Sequence, residues 1–235
     1  METAVAEKLF DLSDEYEAML NQGIRLSGEG MLYFVQGRLR LLQSHLASRQ
    51  PGLKPGRILD FGCGIGDTSQ RLREMFPQAE VTGIDTSEPA LATARERHPG
   101  EGLRFMTLNA FCSQVAPYDL CYVNGVFHHI PVAERPTALH LIHRSLRPGG
   151  MLALFENNPW NPGARMVMAR IPFDRDAEML SPRATANLLR STGFDVVRTD
   201  SLFFFPRLLR RLRFAETLLG PTRLGAQYLV LGSRR

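Results

Sequence analysis

The chain has 235 residues, of which 44% are hydrophobic and 22% are charged, and its formal net charge is +4. This length suits one α/β domain, and the composition excludes intrinsically disordered and fibrous proteins. No run approaches the roughly 20 consecutive apolar residues of a membrane span, and three cysteines without paired spacing indicate neither a disulfide framework nor a zinc site. The first twenty residues lack the basic start and apolar run of a signal peptide, which predicts a cytoplasmic protein.

The N-terminal fifth of the chain has helical periodicity. Apolar residues recur at helical spacing across 3–21 and again across 29–48, before a Pro- and Gly-rich cluster at 51–56. We therefore predict two N-terminal helices that form a lid, residues 1–50. The remaining residues, 51–235, are predicted to form one compact Rossmann-like domain.

From residue 57 onward, predicted strands and helices alternate. Five apolar segments are predicted strands: 57–61, 79–85, 103–109, 118–125 and 151–156. Helices are predicted at about 67–76, from Ser87, at 133–146 and from Ser181. Two last strands, 194–205 and 226–233, flank an arginine-rich stretch whose arginines are expected to face water on an amphipathic helix. This order predicts a doubly wound, seven-stranded, mostly parallel sheet with one antiparallel strand.

A glycine-rich loop, DFGCGIGD (60–67), lies between the first strand and the next helix. Glycines permit a tight turn and leave bare main chain beside a ligand, and the helix that follows offers unpaired N–H groups. The third glycine comes one position too early for a dinucleotide fingerprint, and the Gly-Lys-Ser/Thr of a P-loop is missing. An acid at each end of the loop favours a ligand with an amine or sulfonium over a pyrophosphate. The alternative is a tight turn without a ligand.

Four segments occur in order between residues 55 and 156: ILDFGCGIGDTS, VTGIDTSEPAL, YDLCYVNGVFHHI and LRPGGMLALFE. Their order and spacing closely resemble the four motifs of the class I S-adenosylmethionine-dependent methyltransferases. The resemblance implies a Rossmann-like fold, S-adenosylmethionine as the cofactor, and methyl transfer. We expect a small-molecule acceptor, as in small-molecule biosynthesis, because the sequence shows no nucleic-acid-binding module and no Asn-Pro-Pro-Tyr or Asp-Pro-Pro-Tyr motif.

The resemblance also implies which residues contact the cofactor. Asp60, Gly62 and Gly64 would hold its methionine end. Asp85, which ends the second strand, is placed to accept both ribose hydroxyls. Further predicted contacts lie in the loop, after strands two, three and four, and in the lid: Cys63, Asp67, Thr86, Asn109, Ala110, Phe111, Asn124, His129 and Arg25. The family often has Asp where this chain has Asn109, whose amide oxygen can still accept from the adenine amino group.

Catalytic candidates lie where the fourth and fifth strands end and in the lid. His128 is the candidate general base, because imidazole titrates near neutrality, and His129 is expected to pack or to contact the cofactor. Asn157 and Trp160 belong to a loop, 156–162, that combines a carboxylate, amides and an indole. The alternative for this loop is a turn whose Asn side chains cap the backbone. Tyr16 is a further catalytic candidate in the lid.

Several alternatives stay open. No metal is predicted, because the four histidines between 128 and 143 have no acidic or cysteine ligand at ligand spacing. Residues 170–176 either bring charges over the pocket or form surface pairs, and Phe203–Phe205 either line a pocket or face the core. Arg25 could clamp a carboxylate of the cofactor or of the acceptor.

Two other functions compete with methyl transfer. One is cyclisation of the cofactor's aminobutyl chain to azetidine-2-carboxylate with release of methylthioadenosine, and the other is a non-catalytic binding role. Among partners we expect a small-molecule substrate, no nucleic acid, no stable membrane insertion, and a homodimer as one option for assembly.

Overall fold

The computed structural model describes residues 22–49, 54–113, 117–171, 174 and 177–235. The first predicted lid helix, 3–21, and Tyr16 lie outside these residues. Seven strands form one sheet: β1 Arg57–Phe61, β2 Glu80–Asp85, β3 Leu103–Thr107, β4 Tyr118–Asn124, β5 Leu146–Asn157, β6 Phe194–Leu202 and β7 Gln227–Arg234.

The strand order is β3-β2-β1-β4-β5-β7-β6. The four pairings among β1 to β5 are parallel, and β7 runs antiparallel to both β5 and β6. The predicted seven-stranded, doubly wound sheet with one antiparallel strand is therefore confirmed. The order turns back between β1 and β4, so the crevice in which such sheets bind ligands lies at the carboxyl ends of these two strands.

The described helices are α1 Met31–Arg49, α2 Asp67–Met75, α3 Glu88–Arg97, α4 Leu108–Cys112, α5 Arg135–Ser145, α6 Pro162–Met168, α7 Pro182–Ser191 and α8 Glu216–Leu219. Ser87 and Ser181 begin α3 and α7 because their side-chain oxygens accept from the backbone N–H groups of Ala90 and Ala184. Proline in the first turn of both helices suits the fixed backbone angle of that position. Both starts agree with the sequence prediction.

Two apolar layers cover the two faces of the sheet. One contains side chains of α5 and α7. The other contains the Val35, Leu39, Leu42 and Leu46 stripe of α1 together with strand residues such as Leu120. Helix α1 therefore contributes to the core of the sheet, and the division into a lid and a Rossmann-like domain stays a prediction.

Two segments differ from the sequence expectation. The stretch after β5, where no helix was predicted before Ser181, contains α6, and the Asn161 side chain caps it by accepting from the backbone N–H of Ala164. The arginine-rich stretch forms a 3-10 helix, Arg207–Ala215, that buries none of its residues. Arg207, Arg210 and Arg211 are exposed, as expected, but Leu208 is 92% exposed and Phe214 80%, so the stretch has no buried apolar face. No helix within the described ranges has the length and apolarity needed to cross a membrane.

Candidate active site

The glycine loop after β1 is held against the end of β2. Backbone N–H groups of Gly62 and Cys63 both donate to the Ile84 carbonyl, at 2.8 and 3.0 Å. Gly62 has a φ of +76° and Gly64 one of +52°. A Cβ on Gly62 would lie 2.3 Å from a methyl carbon of Val126, whereas one on Gly64 would meet no described atom within 4 Å. The loop therefore packs tightly against the segment after β4 and leaves open space above Gly64.

Two carboxylates flank this space. Asp60 is 2% exposed, and one of its oxygens accepts from the Ser69 hydroxyl at 2.6 Å. Burial raises the pKa of Asp60 to about 7, and the nearby Asp85 acts in the same direction against the Ser69 hydrogen bond. The two oxygens of Asp85 accept from the backbone N–H groups of Gly64, at 2.8 Å, and Ser87, at 3.0 Å. A cationic ligand would stabilise the Asp60 carboxylate, so these residues fit the sulfonium nucleoside that the resemblance implies.

The other predicted cofactor contacts are distributed unevenly. Asp67, Thr86, Asn109 and Ala110 are exposed near the ends of β1, β2 and β3. The whole of Phe111 is buried in the core, at 0% exposure, so no part of it is open to a ligand in this structure. Cys63 is buried, and burial with the charge of Asp60 raises the pKa of its thiol. Arg25 is exposed and is not among the described residues that line the cavity beside β4.

A cavity of about 540 Å³ opens beside Asn124 and Gly125, where β4 ends. Its described walls are mostly apolar and include Ile24, Met31, Tyr33, Phe34, Met166, Val167, Ile171 and Phe203–Phe205. The aromatic run after β6 thus lines a pocket, and Phe203 also belongs to the buried core, so both possibilities left open by the sequence apply. The Gly62–Val126 contact places this cavity next to the glycine loop.

Phe203 is held in an unusual backbone conformation. Its φ is +62°, a left-handed conformation that costs a non-glycine residue about 1–2 kcal/mol. Its ring packs 4.9 Å from that of Phe34 and 5.5 Å from that of Tyr33, measured between ring centroids. The packing of the Phe203 ring against α1 in the cavity wall therefore holds this strained backbone in place, and such strain is common at binding sites.

Arg38 is a buried cation in the cavity wall. It is 3% exposed, and it donates from Nε to the Tyr122 hydroxyl at 3.1 Å and from Nη1 to the Gln227 side-chain oxygen at 3.0 Å. Both acceptors are neutral, and no carboxylate of the described residues forms an ion pair with Arg38. A buried charge is unfavourable unless it is paired, so this position suits an anionic group of a bound molecule.

A chain of histidines and carboxylates forms another part of the wall. Glu156 accepts from the backbone N–H of Phe127 at 2.7 Å and from Nδ1 of His128 at 2.6 Å. Nε2 of His128 lies 3.4 Å, and Nε2 of His129 3.2 Å, from the same Asp174 oxygen. Asp174 is 6% exposed, so the 170–176 segment does bring a charge to the pocket.

These contacts determine the charge of His128. Burial opposes protonation, but the negative charge of Glu156 and the hydrogen bonds to Asp174 and Glu156 raise the pKa of His128 to about 10. Burial would also raise the pKa of Asp174, yet hydrogen bonds from His128 and His129 lower it. A general base must be unprotonated at the working pH. The geometry therefore favours a protonated His128 that holds a positive charge between the two carboxylates. Its role as general base stays a prediction.

The loop after β5 is braced by its own amides. Asn158 donates to the carbonyls of Arg223 and Gly225, both at 2.8 Å, and accepts from the Trp160 N–H. The side chains of Asn158 and Asn161 thus cap the backbone, which is one of the two alternatives left open by the sequence. Trp160 is 52% exposed and does not line the cavity.

The structure brings four of the sequence-predicted site residues to the cavity: Asn124, His128, His129 and Asn157. Arg38 was missed, although it interrupts the apolar stripe that contains Val35, Leu39 and Leu42. The pairing of Asp174 with His128 had no local signal, because the two residues are far apart in sequence.

Residues 59–152 match the family model described as a methyltransferase domain. The trans-aconitate 2-methyltransferase of Azoarcus sp. (strain BH72) is 33% identical over 157 residues, which are 67% of this chain and 60% of that protein. A second relative with this name, from Variovorax paradoxus, is 32% identical over 62% of this chain and 55% of its own length. The chain therefore spans less than two thirds of the length of these curated relatives.

A solved structure gives the same picture of the fold. The S-adenosylmethionine-dependent methyltransferase from Mesorhizobium loti superposes with a TM-score of 0.58 at 22% identity, over 81% of this chain and 96% of that one. At this identity the similarity establishes a shared fold.

Proposed function

Because the chain belongs to the class I S-adenosylmethionine-dependent methyltransferase family, we propose that it transfers a methyl group from S-adenosylmethionine to a small organic acid. The matches to the methyltransferase family model, to the curated methyltransferases and to the solved methyltransferase structure confirm the predicted family and cofactor. The observation that carries the choice of acceptor is Arg38, a buried cation without a described counter-ion in the cavity beside the glycine loop.

We assign the cofactor to the glycine loop. S-adenosylmethionine supplies a methyl group on a positively charged sulfur, which leaves as a neutral thioether when the acceptor attacks. Asp60 provides a buried negative charge for the cationic methionine end. Asp85, fixed by two backbone N–H groups, keeps lone pairs for the ribose hydroxyls. Thr86 and Asn109, exposed near the ends of β2 and β3, are assigned to the adenine.

The acceptor is assigned to the cavity. An ionised carboxylate oxygen can attack the methyl carbon without losing a proton, so the reaction needs no general base. This agrees with a histidine pair in which His128 holds a proton at neutral pH. Arg38 would orient the acceptor by a charge-assisted hydrogen bond, and the apolar walls would exclude water and hold the reactants together.

Two considerations support this choice over the alternatives. The curated relatives are named for trans-aconitate, which is itself an organic acid. Cyclisation of the cofactor would need a closed pocket with no second molecule, whereas a cavity of about 540 Å³ leaves room for one. The apolar walls favour an acid with a larger apolar part than trans-aconitate.

The first test is product identity. The purified chain is incubated with S-adenosylmethionine alone, then with trans-aconitate and with acids of increasing apolar length, each beside its amide. We expect S-adenosylhomocysteine and a methyl ester with the acids and no turnover with the amides. Methylthioadenosine formed without any acceptor would establish cyclisation instead.

The second test concerns Arg38. Arg38→Met keeps the apolar stem, so we expect the KM of the acid to rise at least about tenfold, the effect of losing roughly 1.4 kcal/mol of binding, with an unchanged Kd for S-adenosylmethionine. Arg40→Met, an exposed position on the same helix, is the matched control. A weaker Kd for S-adenosylmethionine with an unchanged KM for the acid would show that Arg38 holds the cofactor's own carboxylate.

A further inference from the structure

Three potential metal ligands meet at the wall of the cavity. Nε2 of His128, Nε2 of His129 and a carboxylate oxygen of Asp174 all lie within 4.8 Å of one another, and all three residues line the cavity. We propose that these atoms bind one divalent transition-metal ion of the zinc and iron(II) class.

The spacing of the ligands fits such an ion. Ligand atoms about 2.0–2.1 Å from zinc at tetrahedral angles lie about 3.3 Å apart. The Asp174 oxygen lies 3.4 Å from Nε2 of His128 and 3.2 Å from Nε2 of His129. Both distances match the spacing of two ligands on one ion, and the two Nε2 atoms lie within 4.8 Å of each other.

Glu156 supplies the orientation that metal-binding histidines usually receive. Its carboxylate holds Nδ1 of His128 at 2.6 Å, a short bond, while the contact of Nε2 with Asp174 is long at 3.4 Å. A carboxylate on the far nitrogen of a ligating histidine fixes the ring and leaves the other nitrogen for the metal. Zinc would displace the proton from Nε2 of His128, since ligation requires the neutral ring. Without an ion His128 keeps its proton between the two carboxylates, and its Nε2, which has the longer contact, is the nitrogen left for the metal.

The chemistry of the ligands selects the ion. Two imidazole nitrogens and one carboxylate oxygen suit zinc and iron(II), whereas magnesium and calcium prefer all-oxygen sites. Three protein ligands leave at least one coordination position open. Because the three residues face the cavity, that position would take an oxygen of a bound molecule. This last step rests on the proposed function, whereas metal binding itself does not.

The experiment measures metal binding directly. Chelator-treated, tag-free full-length chain is titrated with zinc sulfate by calorimetry, with iron(II) in the absence of oxygen, and with magnesium. Cobalt(II) serves as an optical probe of four- or five-coordinate ligation. We expect one zinc or one iron(II) per chain, visible cobalt bands that compete with zinc, and no heat with magnesium.

Variants test the assigned ligands. Asp174→Asn and His129→Gln should each weaken zinc binding by more than about 100-fold, and Glu156→Gln by about 10–100-fold, the range for residues that orient a ligand. His98→Gln is the matched control, because His98 forms a similar pair with Asp67 at 3.1 Å away from the cavity. Circular dichroism and thermal melting identify variants that fail to fold, and His129→Gln, at a partly exposed ring, is the variant least exposed to that risk.

The proposal is overturned if folded wild-type chain binds less than about one tenth of an equivalent of zinc and of iron(II), or if His98→Gln weakens binding as much as His129→Gln. Because binding is measured without cofactor or acceptor, it can fail while methyl transfer is observed. The reverse outcome, metal binding without methyl transfer, would contradict the proposed function and leave the metal site in place.

Discussion

Asp60 should destabilise the folded chain when no cofactor is bound, and Asp60→Asn should remove this effect. Burial raises its pKa from an ordinary 3.8 to about 7. Between these values the folded chain binds more protons than the unfolded chain, so stability falls as pH rises, by about 1.4 kcal/mol per pH unit. The penalty is absent below about pH 4 and reaches about 4 kcal/mol above pH 7.

The assay is urea unfolding of wild type and Asp60→Asn at pH 5 and pH 8. The stability gained by Asp60→Asn should be larger at pH 8 by about 3 kcal/mol, and this difference cancels any pH-independent effect of the substitution. Saturating S-adenosylmethionine, at 100 times its Kd, should stabilise wild type by about 2.7 kcal/mol and the variant much less.

Glu96→Gln, at an exposed position on α3, is the control and should change stability by less than about 0.5 kcal/mol at either pH. The reasoning is refuted if the gain of Asp60→Asn is the same at pH 5 and pH 8. It is also refuted if the cofactor stabilises the variant as much as it stabilises wild type.

Four further substitutions test the loop and its surroundings. Gly62→Ala should destabilise the fold by more than about 1 kcal/mol in urea unfolding, because its methyl would overlap Val126. Gly64→Ala, whose methyl meets no described atom, should fold yet weaken S-adenosylmethionine binding in calorimetry. Equal effects of the two substitutions on stability and on binding would contradict this. Asp85→Ala should abolish that binding, and an unchanged Kd would remove the ribose from this position. Asn161→Ala should lose about 1 kcal/mol of stability with the cap of α6, and an unchanged unfolding midpoint would show that the cap contributes nothing.

The sheet was predictable because its signals are local. Each of the first five strands is a short apolar run between glycines, prolines or helix starts, and the serine caps of α3 and α7 mark where those helices begin. Helix α6 was missed because Asn161-Pro162 resembles turn chemistry, although the same pair is a good helix start. With seven residues, α6 is also too short for its apolar periodicity to stand out.

The residues assigned to the cofactor and those that line the cavity also differ in how well the sequence predicts them. Asp60, Gly62 and Gly64 belong to one loop, and Asp85 follows on the neighbouring strand, so the sequence alone could predict a cofactor site there. The contacts of these residues with the cofactor stay a prediction. The cavity to which we assign the acceptor is assembled by tertiary packing. A sequence pattern cannot show that Asp174 reaches His128, or that Arg38 of α1 lies against β4 and β7.

Similarity to the methyltransferase family therefore indicates less about the acceptor than about the cofactor. The matched methyltransferase region is 59–152, and of the described residues that line the cavity only Asn124, Gly125, His128 and His129 fall within it. The rest of the described wall comes from 24–38, 157–174 and 203–227. The matched region can therefore bind the cofactor while the flanking segments determine the acceptor. The choice of acceptor therefore depends on Arg38 and on the apolar walls of the cavity in this chain.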